Sequence, residues 1–154
     1  MIMEEEIISA LKEVITVFGE DQAKIVEQVF RNETRHFLSG NFQKTLSPGM
    51  EAFGVNLPYG WTSAGTYWLL HPKYAPTGVY DEVENNSGMS NSRGIRHFLK
   101  FDSLEASMMT VAFILHSRGG DGGSWFSVSD AAFRAKYNDY LSHIIPKFVN
   151  EIIK

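Results

Sequence analysis

The sequence predicts a mainly α fold with one small β-hairpin. Two observations carry that expectation. Apolar residues recur at helical spacing over about Glu4–Phe18, again up to about Glu33, and a third time from Leu104 to Leu115. One central stretch, about Gly78–Phe101, instead has strand-like content on either side of a turn-rich segment.

The first helix carries Ile7, Ile8, Leu11, Val14, Ile15 and Phe18 as its inward stripe, and Gly19 stops it. Glu20 and Asp21 then suit the positive end of a second helix that runs to about Glu33. From Ser39 to Gly78 the period is lost, and Pro and Gly interrupt a series of aromatic residues that includes Phe42, Phe53, Trp61, Tyr67 and Trp68. Loops packed by rings are expected there, with a short helix around Ala64–Leu70. Val79–Val83 and Ile95–Phe101 form the hairpin. With Val79 and Val83 toward the core, strand alternation gives Glu82 and Glu84 the open face. The run Asp102-Ser103-Leu104-Glu105 reads as a capping box opening a helix whose inward residues are Leu104, Met108, Val111, Ala112 and Leu115. A flexible glycine-rich turn, Gly119–Gly123, ends it. A short helix follows Ser129, and a last one covers about Tyr137–Ile152, kinked or split by Pro146.

Composition excludes several classes of function. The 154 residues are 44% apolar and 21% charged, ordinary for one globular domain with a real core. A net charge of −4 argues against nucleic acid as the partner, because phosphate binding needs a basic surface. There are no cysteines, so disulfides and thiolate chemistry are absent, and the five histidines form no tight metal-binding spacing. No metal and no organic cofactor is expected. Three glutamates stand where a secretory signal would carry basic residues, and no apolar run approaches the about eighteen residues of a membrane helix. The expectation is a protein made in the cytoplasm without an export signal and without membrane insertion.

Carboxylate chemistry in an aromatic-rich cleft is what remains. Val26, Phe30 and Glu33 share one helix face, so Glu33 lies at the inner edge of the last turn. Burial, the negative helix end and apolar neighbours all favour its protonated form, as a general acid requires. The competing reading is a surface glutamate in a fraying turn. Glu82 and Glu84 are the candidates for a second carboxylate, against the alternative of a solvated edge strand. Thr34, His36 and Ser39 follow the acid, and aromatic rings such as Phe53 and Trp61 can stack on sugar faces; these five are the candidate substrate-binding residues.

Two separated stretches resemble one known family. Glu33-Thr34, Leu38-Ser39-Gly40 and Ala52-Phe53-Gly54-Val55 match a helix ending in Glu-Ser/Thr, a serine-glycine loop and a Phe-Gly-Ile/Val element. Phe98-Leu99-Lys100-Phe101-Asp102-Ser103 matches an aromatic-x-Lys/Arg-aromatic-Asp/Pro-Ser opening of a helix, and Tyr140–Ile144 is a weaker third match. The pattern is similar to that of the peptidoglycan-cleaving N-acetylglucosaminidases of the lysozyme-like superfamily, glycoside hydrolase family seventy-three. It departs from that family in having Phe30-Arg31-Asn32 before the glutamate and Arg35-His36-Phe37 after it.

The resemblance implies a single lysozyme-like catalytic domain over residues 1–154 that cuts the GlcNAc-MurNAc strands of peptidoglycan at the bacterial cell wall. It further implies a catalytic Glu33, a second acid at Glu84 or Glu82, and a cleft-lining Tyr137 or Tyr140. Access to the wall would require a holin, another export route or cell lysis. A lytic transglycosylase with a single catalytic glutamate, and a non-catalytic wall-binding or phage structural module on the same fold, are the alternatives.

Overall fold

The computed structural model describes residues 2–50, 61–84, 94–125 and 129–154; the side chains of residues 61–63, 82–84 and 94–97 lie outside the described set. Among the described residues the chain forms seven α-helices and a two-stranded antiparallel sheet, so it is mainly α with a small hairpin.

Helix α1 (Glu4–Phe18) and helix α2 (Glu20–Glu33) form with the expected bounds. Gly19 joins them at φ +94°, a backbone conformation that only glycine adopts at little cost, so the chain reverses without a longer loop. Helix α5 (Leu104–Ser117) is the centre of the molecule. Its five expected inward residues are all buried, and so are Ala106, Ser107, Met109, Thr110 and Ile114. A helix apolar on nearly every side must be enclosed, and α1, α2 and α4 (Trp61–Leu70) enclose it. Its cap differs from the expectation. Ser103, not Asp102, is the N-cap, and its hydroxyl accepts from the Ala106 N–H at 3.1 Å.

Helix α3 (Gly40–Thr45) was not expected; six residues are too few to display a period. Its Phe42 packs edge-on to Phe30 and Phe37, and these rings with Phe148 form an aromatic cluster at the end of α2. Strands β1 (Gly78–Glu84) and β2 (Gly94–Lys100) pair with Tyr80 opposite Phe98 and Glu82 opposite Arg96. Two backbone bonds, Leu99 N–H to Met50 O at 2.7 Å and Phe101 N–H to Thr45 O at 2.9 Å, dock the hairpin on the end of α3 and the segment after it. The expected facing is reversed at this end. Val79 is 45% exposed, whereas Phe98 is buried, because Tyr80 and Phe98 supply larger apolar surface than the valine does. Glu82 and Glu84 stand two and four residues beyond Tyr80.

The C-terminal helices also differ from the expectation. Helix α6 spans Ala131–Ser142, so Tyr137 belongs to its middle rather than to the start of a last helix. Helix α7 is only Lys147–Ile152. Pro146 sits immediately before it, where its missing N–H costs no helical bond. Nor is the glycine-rich segment a loose turn. Gly119 and Gly120 end α5 at positive φ, and the following 3₁₀ turn, Gly122–Trp125, is buried. A Cβ on Gly123 would overlap the Arg134 backbone, so α6 owes its close approach to that glycine.

Candidate active site

Val26 and Phe30 are fully buried on the inner face of α2, and Glu33 is the next residue on that face. It is half-buried. Across from it, α6 is preceded by its N-cap Asp130, whose carboxylate accepts from the Phe133 N–H at 2.9 Å, and turns Tyr137 and Leu141 inward one turn apart. The Tyr137 hydroxyl donates to Glu33 Oε2 at 2.7 Å. The Asn32 side-chain amide donates to the same oxygen at 3.0 Å and reaches the Tyr137 hydroxyl at 3.2 Å. Glu33, Tyr137 and Asn32 thus form a closed triangle.

Burial pushes the Glu33 carboxyl above its ordinary range, and the hydrogen bonds from Tyr137 and Asn32 partly oppose that rise. The same burial, reinforced by the Glu33 charge, pushes the Tyr137 phenol up, so it remains a donor. Both donors, Asn32 and Tyr137, converge on Oε2. Oε1 has no hydrogen bond to any described residue, and it is the oxygen free to carry a proton.

Immediately after the acid the backbone does something rare. Arg35, His36 and Phe37 lie at φ +53°, +58° and +71°, three consecutive non-glycine residues in the left-handed region. Each costs about 1–2 kcal/mol relative to a right-handed turn. Thr34 holds the turn together. Its buried hydroxyl donates to the Phe30 carbonyl and accepts the Phe37 N–H at 2.8 Å, while its carbonyl accepts from Leu38 and Ser39. Burial of the Phe37 ring in the aromatic cluster offsets the strain. The outcome is that Arg35 and His36 project outward beside the acid.

These two residues line a cleft of about 620 Å³ together with Arg31, Asn32, Tyr140 and His143. Arg31 is fixed there from three sides. Its Nε donates to the fully buried Glu27 carboxylate at 2.7 Å, and its guanidinium lies over the Phe37 and Phe148 rings at 5.3 and 4.9 Å. Glu27 also accepts the Phe148 and Val149 N–H groups at 3.0 and 2.8 Å, which ties α7 to α2.

The structure therefore brings Glu33 and Tyr137 together and places His36 and Tyr140 in the adjoining cleft. Tyr140, the alternative to Tyr137, is 59% exposed and does not bond the acid. Thr34 requires correction as a substrate contact. It is 1% exposed, and its hydroxyl is consumed by the backbone. Ser39 is the N-cap of α3, accepting from Phe42 N–H at 3.4 Å. Phe53 lies outside the described residues, as do the side chains of Trp61, Glu82 and Glu84.

Asn32, Arg31, Arg35 and Glu27 are the residues that sequence reasoning passed over. The signal for Asn32 was its place beside the acid. For Glu27 it was a carboxylate one position from the buried Val26. Among the described residues no three His, Asp or Glu side chains cluster as metal ligands, and no helix is long and apolar enough to cross a membrane. Comparison with protein-family models, curated proteins and solved structures finds no match to this chain.

Proposed function

We propose that the chain is a glycoside hydrolase acting on the glycan strands of peptidoglycan, with Glu33 as general acid. The observation that carries this reading is the pairing of burial and directed hydrogen bonding at one carboxyl. Burial raises the affinity of Glu33 for its proton, and the two donors on Oε2 stabilise the carboxylate left when that proton is given away. Oε1–H donates to the glycosidic oxygen as the bond to the anomeric carbon breaks. The carboxylate left behind is stabilised by Tyr137 and Asn32, whose hydrogen bonds strengthen as charge develops.

The sugar cation that forms needs an electron-rich neighbour. Glu84 or Glu82 of β1, or the substrate's own acetamido oxygen, would supply it, and water completes hydrolysis. Access to the wall through a holin, another export route or lysis belongs to the same proposal.

Zymography on purified cell walls tests the reading. Wild-type protein should clear the walls, and Glu33→Gln should not. Equal wall binding by both, with no clearing by either, would favour the non-catalytic module. Mass spectrometry of the released fragments assigns the bond: reducing GlcNAc, reducing MurNAc and anhydro ends distinguish glucosaminidase, muramidase and lytic transglycosylase.

A further inference from the structure

The cleft beside Glu33 has a character at odds with the chain as a whole. The protein carries a net charge of −4, yet Arg31, Arg35, His36 and His143 converge on one cavity. The acidic groups around it do not cancel this. Glu27 is buried beneath and compensates Arg31 alone. Asp139 stands 3.9 Å from His143, and both side chains are about four-fifths exposed. Arg35 makes no ion pair among the described residues, and the left-handed turn that presents it costs free energy the fold must recover elsewhere. Asn32 is common to this cleft and to the Glu33–Tyr137 triangle, so a ligand in one abuts the other.

We propose that this cleft is a carboxylate subsite: Arg35, assisted by the Arg31 guanidinium and the His143 imidazole, receives an anionic substituent carried on the sugar ring next to the bond being cut. The proposal rests on the glycan-strand reading and refines it. A planar guanidinium with its donors free matches a carboxylate in geometry as well as charge. The bare polysaccharide backbone of GlcNAc units is neutral. The acidic groups of the wall polymer are the lactyl ether of muramic acid, where the peptide has been removed, and the carboxylates of the peptide stem. Both present the same chemistry to Arg35. The cleft volume of about 620 Å³ accommodates more than a single carboxylate, which leaves room for a short peptide stem.

Binding is measured by titrating isotope-labelled protein with three probes, reading the Arg35 guanidinium and His143 imidazole resonances. The probes are N-acetylglucosamine, N-acetylmuramic acid and N-acetylmuramyl-L-alanyl-D-glutamate. Both acids should shift these resonances and the neutral sugar should not. Tighter binding of the peptide-bearing probe identifies the stem as the source of the carboxylate, and tighter binding of the free acid identifies the lactyl group.

Arg35→Gln should weaken binding of the acids by about tenfold, and Arg35→Lys by less. Arg35→Gly removes the guanidinium while relaxing the backbone at φ +53°, so a loss shared by Gln and Gly variants is not a folding defect. Equal shifts with the neutral sugar, or undiminished acid binding by both variants, overturn the subsite. Wall clearing scored on the same preparations separates the two ideas. Clearing without carboxylate-dependent shifts removes the subsite and leaves glycan hydrolysis standing. Arg35-dependent acid binding without clearing does the reverse.

Discussion

The Tyr137 hydroxyl donates to Glu33 Oε2 at 2.7 Å, joining the last turn of α2 to the middle of α6 across 104 residues of chain. A donor to a carboxylate favours its charged form, so this bond acts against the burial that raises the Glu33 pKa. Tyr137→Phe leaves burial in place and removes the donor, which moves the Glu33 pKa further up. In its proposed role as general acid Glu33 works only while protonated, so the alkaline limb of the rate profile should shift to higher pH. The developing carboxylate also loses its strongest partner, and kcat should fall by about ten- to a hundredfold. A pH–kcat profile on solubilised glycan strands checks both; an unmoved alkaline limb would remove Tyr137 from the chemistry.

Glu33 also links stability to pH. Its folded-state pKa lies above the ordinary carboxylate value, so the stability tied to its proton is fully present below the unfolded pKa and is lost as pH rises through the folded one. Glu33→Gln keeps an acceptor for Tyr137 and Asn32 but never ionises. The variant should melt at a higher temperature than wild type at about pH 7, and the gap should close by about pH 4, where both side chains are neutral. Calorimetry across that range decides it. A wild type more stable than Glu33→Gln at neutral pH would mean that the hydrogen bonds outweigh burial.

The left-handed turn makes a third prediction. His36 is exposed at φ +58°, and His36→Gly removes the steric cost of that conformation, giving about 1 kcal/mol of added stability. Thr34→Val keeps the shape of the buried side chain but strands the Phe37 N–H, which donates to the Thr34 hydroxyl. That variant should lose about 1–3 kcal/mol. Urea denaturation of the pair tests the turn from both sides, and a Thr34→Val as stable as wild type would show that Phe37 alone secures it.

This turn also marks how far the sequence could be read. Stripes such as Ile7, Leu11 and Val14 delimit α1, and Gly19 ends it, because periodicity and a chain-reversing glycine are local properties. Placing Glu33 on the face of Val26 and Phe30 was equally local, and its burial follows from their packing. Arg35-His36-Phe37 gave no warning of left-handed backbone, since none is Gly or Asn; the conformation is imposed by Thr34 and by the ring cluster it feeds. The pairing of Asn32 with Tyr137 depends on where α6 docks. That docking depends on the contact between Gly123 and the Arg134 backbone, which no spacing in the chain records. The apolar stripe from Tyr140 to Ile152 continues through the break at 143–146, and so concealed the boundary between α6 and α7.

Glu27 accounts for a last prediction, separate from the chemistry. Its carboxylate is fully buried and accepts from Arg31, Phe148 and Val149, so one side chain of α2 hydrogen-bonds two N–H groups of α7. Glu27→Ala would bury the Arg31 guanidinium beside two stranded N–H groups without a counter-charge, a change that costs about 3–5 kcal/mol. Glu27→Gln retains one carbonyl acceptor and should fall between that variant and wild type. The diagnostic readout is local rather than global. Amide exchange at Phe148 and Val149 should accelerate more than exchange within α5, because the broken bonds belong to α7 while the core of α5 keeps its enclosure. Uniform acceleration across both helices would instead mean that Glu27 supports the whole fold and not the attachment of one helix.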